Sequence, residues 1–250
     1  MKEKELDFNG HEYVDLGLPS GTLWAKCNVG AEKETDSGLY FTWGETEGFT
    51  PEMVEQIDKE HTLISPFDPD FEKKTYKTKW EGEKIHKGDF VFTKYNEQDK
   101  KSVLDLEDDA ARANMGGNWR MPSLENAKEL INPDYVKTEP VANYNDSGVN
   151  GYLITSLKNG NQLFLPLTGE LFLGCMFTLC FEEVQKPFEI NNVGVYLLNQ
   201  LDVDFSYNIM SIFMSYRPNS GWHRISAGSH HGGAEFRRRK YSVRGVINHD

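Results

Sequence analysis

Through most of the chain, apolar and polar positions alternate in short stretches, the spacing of half-buried strands rather than of helices. Residues 11–17 alternate in this way, Leu18-Pro19-Ser20-Gly21 reads as a turn, and Thr22 to Cys27 reads as the hairpin partner. A third strand is expected over Leu39 to Trp43. Residues 45–90 break the pattern: they are charged, poor in aliphatics and hold Pro66 and Pro69 close together. They are expected to form a long surface excursion with one short helix near 51–60. Two further helices are expected in the middle of the chain. One runs from about Glu107 to Met115, with acids in its first turn and Gly116-Gly117 as its stop. The other starts at Ser123, an N-cap just after Pro122, and ends before Pro133. Gly151 to Leu157 and Gln162 to Leu165 flank Asn159-Gly160, the signature of a hairpin with a tight turn. From there to Ile247 short strands are expected between Asn, Ser, Pro and Gly.

No repeat and no low-complexity tract interrupts this order. The pattern predicts an α+β fold of short antiparallel strands, two central helices and long loops, in one domain over 1–250 with an insertion at about 47–92. Trp24, Trp119, Leu153, Ile154, Leu163 and Phe164 are expected in its core.

Composition supports this picture. Hydrophobic residues at 38% suffice to fill a core, and aromatics at 12% beside 22 glycines suit many short strands joined by ordered loops. No stretch approaches the roughly 18 apolar residues of a membrane span. The start, Met1 to Asp7, is charged and lacks the apolar core of a secretory signal. Cys27, Cys175 and Cys180 are too few and odd in number for a disulfide framework, and read as buried thiols. The net charge of −12 is uneven: residues 190–250 carry seven basic against four acidic side chains, while residues 1–111 carry 14 against 26. An acidic body argues against general nucleic-acid affinity, yet it leaves room for a cationic face near the C-terminal end.

Several long motifs occur in a fixed order: Glu12-Tyr13-Val14-Asp15-Leu16-Gly17-Leu18-Pro19-Ser20-Gly21-Thr22-Leu23-Trp24-Ala25, Cys27-Asn28-Val29-Gly30-Ala31, Trp43-Gly44-Glu45-Thr46, Thr93-Lys94-Tyr95-Asn96, Leu104 to Ala111, and Gly116-Gly117-Asn118-Trp119-Arg120-Met121-Pro122-Ser123. Together they resemble the Fibrobacter succinogenes major paralogous domain, a family common in gut Bacteroidetes and their phages. The resemblance covers 11–46 and 93–167. It implies the C-type-lectin-like fold, in the branch of the formylglycine-generating enzymes. The last third departs from the family: Gly194 to Asn199 stands where members carry Tyr-Trp-Ser-Ser, and Ser242-Val243-Arg244-Gly245-Val246 where they close with Ser-Val-Arg-Pro-Val. In that fold this region builds the ligand face, and in relatives diversified by retroelements it is where variation concentrates.

Several constellations invite chemistry. Cys175 and Cys180 have the spacing with which formylglycine-generating enzymes hold copper, but Leu171, Phe172, Leu173, Met176, Phe177, Leu179 and Phe181 surround them, and the family's Arg-Gly-Gly-Ser is missing. Asp105, Glu107, Asp108 and Asp109 offer oxygen ligands to a hard cation; equally, acids belong in a helix's first turn. His223, His230 and His231 lie close in sequence, but adjacent strand residues point to opposite faces, so convergence on a metal is not expected. Arg237-Arg238-Arg239-Lys240 suits a solvated strand edge or an anionic ligand. No nucleophile elbow, metalloprotease motif, phosphate loop or dinucleotide fingerprint occurs. The expectation is therefore no enzyme, no cofactor and no bound metal.

Contact surfaces favour Tyr, Trp, Arg and adaptable polar groups. The candidate ligand-binding residues are accordingly Tyr196, Tyr207, Tyr216, Arg217, Asn219, Trp222, His223, His230, His231 and Arg237. The expected role is a recognition module, an adhesin or receptor-binding part of a virion or bacterial surface. Its expected partner is a host cell-surface protein or glycan, with homo-oligomerisation left open and a cytoplasmic location if it joins no particle. An oxidase-type enzyme or a purely structural particle protein are the alternatives.

Overall fold

The computed structural model describes residues 7–50, 52–53, 84–88, 91–169, 191–204, 208–229, 237 and 239–248. Short strands open the chain: β1 (Asp7–Phe8), β2 (His11–Val14), β3 (Thr22–Ala25) and β4 (Tyr40–Thr42). Next among the described residues is an antiparallel pair, β5 (His86–Gly88) and β6 (Val91–Phe92). Then come two helices, α1 (Ala110–Met115) and α2 (Leu124–Leu130), and a three-stranded sheet of β7 (Val136–Val141), β8 (Gly151–Ser156) and β9 (Gln162–Pro166). The chain finishes with β10 (Val193–Leu201), β11 (Ile209–Arg217), β12 (Trp222–Ser229), β13 (Lys240–Ser242) and β14 (Val246–Asn248). Among the described residues the content is mixed α+β, mostly strands in several small sheets, with the two central helices that the patterning predicted.

The largest sheet has the order β12-β11-β10-β13-β4, antiparallel except for the β10–β13 pair. A second sheet, β1-β2-β3-β14, joins the two ends of the chain through Val246 opposite Trp24. Apolar side chains gather in two clusters, and β3 and β10 run between them. On β10, Val195 and Leu197 enter one cluster while Tyr196 and Leu198 enter the other. On β3, Leu23 and Trp24 divide in the same way. Burial on both faces explains why these segments read as unbroken apolar runs instead of alternating ones. Each fully buried large side chain here stabilises the fold by about 1.5–3 kcal/mol.

The helices form where their caps dictate. Ser123 caps α2 in a box with Asn126, and Ala127 and Leu130 turn inward from it. The expected helix from Glu107 is instead two pieces: a 3-10 turn at Leu106–Asp108, then α1. Asp109 breaks it, because its carboxylate accepts from the Arg112 and Met121 amides and its backbone is extended. In the β8–β9 hairpin the pairing extends to Ser156 N–H on Asn161 O at 2.9 Å, and residues 157–160 close it; this is longer than a two-residue turn, with Gly160 at φ +78°. Trp24, Trp119, Ile154, Leu163 and Phe164 are buried, whereas Leu153 is only half-buried.

The strands go beyond the sequence expectation at β7, for which none was stated, and depart from it in the last third. β7 carries Pro140, which the ladder tolerates because β7 is an edge strand. The last third holds three long strands of nine, nine and eight residues in place of many short ones. The helix expected near 51–60 lies outside the described residues apart from Glu52 and Met53.

Candidate functional site

β11 and β12 form a hairpin whose register runs unbroken from Met210 opposite Ser229 to Arg217 opposite Trp222. Pro218, Asn219, Ser220 and Gly221 make the turn. Pro218 presets the backbone angle that a turn's second residue needs, and Gly221 takes φ +67°. Ser220 secures it twice, donating from its N–H and its hydroxyl to Arg217 O at 3.1 and 3.3 Å. Directly opposite residues of an antiparallel pair share a face. Arg217 and Trp222 therefore point to one side of the tip, and Tyr216 and His223 to the other.

The tip is open to solvent. Trp222 is 52% exposed, and Arg217, Asn219 and His223 are exposed as well. Asn192, Arg217, Pro218, Asn219 and Ser220 line a cleft of about 510 Å³. Asn192 is held there by the Tyr216 N–H, which donates to its carbonyl at 2.9 Å. Among the described residues, no hydrogen bond or ion pair engages the Arg217 guanidinium. An exposed indole beside an unanswered cation suits binding better than scaffolding.

Two expected contact residues are corrected by burial. Tyr196 is fully buried; its hydroxyl donates to Pro166 O at 2.8 Å and accepts from Asn28 Nδ2 at 3.4 Å, and burial raises its pKa. Arg237 is buried too, donating to Tyr95 O at 2.7 Å and Lys94 O at 3.1 Å. Its guanidinium lies 3.8 Å from the Phe92 ring centre and 5.1 Å from that of Trp43, and burial lowers its pKa to about 10. Both belong to the scaffold. Tyr216 is half-buried against the second apolar cluster, so it supports the tip from behind. Tyr207, His230 and His231 lie outside the described residues, as do Cys175 and Cys180.

The acidic group resolves differently from the cation reading. Lys94 Nζ sits among three carboxylates, 2.6 Å from Asp108, 2.8 Å from Glu107 and 3.3 Å from Asp105. The Asp108 bond, then that of Glu107, pushes the ammonium pKa above its ordinary value. Tyr95 completes the group, its hydroxyl donating to Asp108 at 2.7 Å and accepting from the Asp105 N–H at 2.8 Å. These three acids are the only group of metal-ligating side chains close enough for one ion among the described residues, and the protein's own cation meets them. Asp109 stands apart as the helix cap.

Sequence reasoning did not single out Asn192, Pro218 or Ser220. The Pro-Asn-Ser-Gly run after the strand formers of β11 carried the signal for the turn. The ladder defines a class of site: an aromatic and a cation presented together on a rigid strand pair. The chain matches no family model, no curated protein and no solved structure. Among the described residues no helix is long and apolar enough to cross a membrane.

Proposed function

We propose that this chain is a non-catalytic recognition module of C-type-lectin-like architecture, displayed on a phage particle or bacterial surface, that binds a host cell-surface protein or glycan through the β11–β12 tip. The observation that carries this reading is the pairing of exposed Trp222 with Arg217 on one face of a continuous ladder. Trp and Arg dominate binding energy at contact surfaces because each brings a large, stiff group with directional or charged contacts. A tip held by cross-strand hydrogen bonds loses little freedom on binding, so less of the contact energy is spent on ordering. The family motifs supply the other support: their tryptophans, Trp24, Trp43 and Trp119, are all fully buried, which leaves the departing C-terminal third to vary over a fixed core.

The test is a binding screen of the whole chain against immobilised glycans and bacterial cell surfaces. Trp222→Ala is expected to weaken any hit by about 1–3 kcal/mol while the melting temperature holds. A ligand whose affinity ignores Trp222, or a Trp222→Ala chain that does not fold, would remove the assignment.

A further inference from the structure

The cleft at the tip has a chemistry of its own. Among the described residues its lining offers one cation, two amides and one hydroxyl, and no acid, in a protein whose net charge is −12. Other described arginines meet a hydrogen-bond partner or a ring: Arg112, Arg120, Arg237 and Arg244 donate hydrogen bonds, and Arg224 lies 5.9 Å from the Phe213 ring centre. Covering Arg217 with a neutral ligand would strip water from the guanidinium and return nothing, whereas an oxyanion would take two parallel N–H bonds from its fork. Trp222, directly opposite Arg217 in the ladder and beside the cleft rather than in its lining, adds a flat apolar surface on the same face. Asn192 and Asn219 each offer both a donor and an acceptor, the combination that neighbouring hydroxyls require.

Size points the same way. The cleft is open to solvent and holds about 510 Å³, room for one or two sugar rings. The wall is also preorganised. Asn191, next to Asn192, accepts from the Asn150 N–H at 3.1 Å and its own N–H donates to Leu167 O at 2.9 Å.

We infer that the cleft takes an acidic sugar, a pyranose bearing a carboxylate or a sulfate ester, with the oxyanion on Arg217 and the ring against Trp222. This rests on the recognition reading above and names its ligand class. The experiment measures binding of the full chain to sialyl-lactose and oligogalacturonate as carboxylate arms, a sulfated galactoside as the sulfate arm, lactose as the neutral arm, and an acidic peptide. One or both charged-sugar arms should bind at least about tenfold more tightly than lactose and lose affinity as salt rises from about 0.05 to about 0.5 M. Which arm binds identifies the oxyanion. Arg217→Gln should erase the preference without moving the melting temperature, and Arg217→Lys should restore it in part, because charge returns without the fork.

Equal binding of lactose, binding of the peptide alone, or no binding in any arm would overturn the inference. Lactose binding that depends on Trp222 but not Arg217 would do so while leaving the recognition reading intact. Binding indifferent to both substitutions would remove the two together.

Discussion

Two stretches of the last third use arginine in opposite ways. At the tip, Arg217 is exposed beside Trp222. In the closing segment, Arg237 and Arg244 are almost wholly buried among backbone carbonyls. Arg244 lies between β13 and β14, donates to Ala25 O at 3.1 Å and Phe164 O at 3.1 Å, and also reaches Lys26 O. One guanidinium thus binds the end of β3 to β9. Composition treats these side chains alike; only what each one faces separates an exposed cation from an internal clamp.

The sharpest way to break that contrast is to remove the clamp. Arg244→Ala should leave several buried carbonyls without a donor and open a void, costing on the order of 3 kcal/mol or more. Denaturant unfolding measures it; a loss below about 1 kcal/mol would mean the segment is not a clamp. Asp109→Ala comes next. It strips the α1 cap and the acceptor for the buried Met121 N–H, and a loss of about 2 kcal/mol is expected in the same assay.

Glu45 sharpens the comparison through pH. Burial pushes its carboxyl upward, but the hydrogen bond from His86 and the Lys84 and Ile85 amides outweigh burial and hold it below its ordinary 4.5. A depressed acid stabilises the fold fully above its unfolded value and loses that contribution as pH falls through its folded value. Stability should therefore decline below pH 4.5, and Glu45→Gln should flatten that decline. An unchanged acid limb in the variant would show that the carboxylate is not held as described. The smallest effects belong to the tip. Trp222→Ala and Arg217→Gln should each change unfolding free energy by less than about 0.5 kcal/mol, and a larger loss would move them into the scaffold.

Legibility followed local signals. Ser123 and Pro133 marked the ends of α2, and the alternation around Asn159-Gly160 marked the β8–β9 hairpin, because caps and turns are written in adjacent residues. The length of β10 was not visible, since Val195 to Leu198 are buried on both faces and show no alternation. β12, rich in small polar residues, becomes a strand through its pairing with β11 rather than through propensity. Arg217 and Trp222 stood among the candidates by residue type, and both are exposed. Tyr196 and Arg237 stood there for the same reason, because residue type carries no information on which way a strand faces. Lys94 among Asp105, Glu107 and Asp108 was equally hidden, since the cation and the acids approach only once β6 and the following 3-10 turn are in place.

The pairing of β14 with β3 also sets a timetable. Val246 opposite Trp24 joins residues 222 apart in sequence (246 − 24), and contacts of such long range form slowly. During synthesis, β3 must wait with one edge uncovered until β14 has left the ribosome. An exposed edge of that kind is where chains misassociate, so a chaperone or low temperature during expression should raise the yield of folded protein.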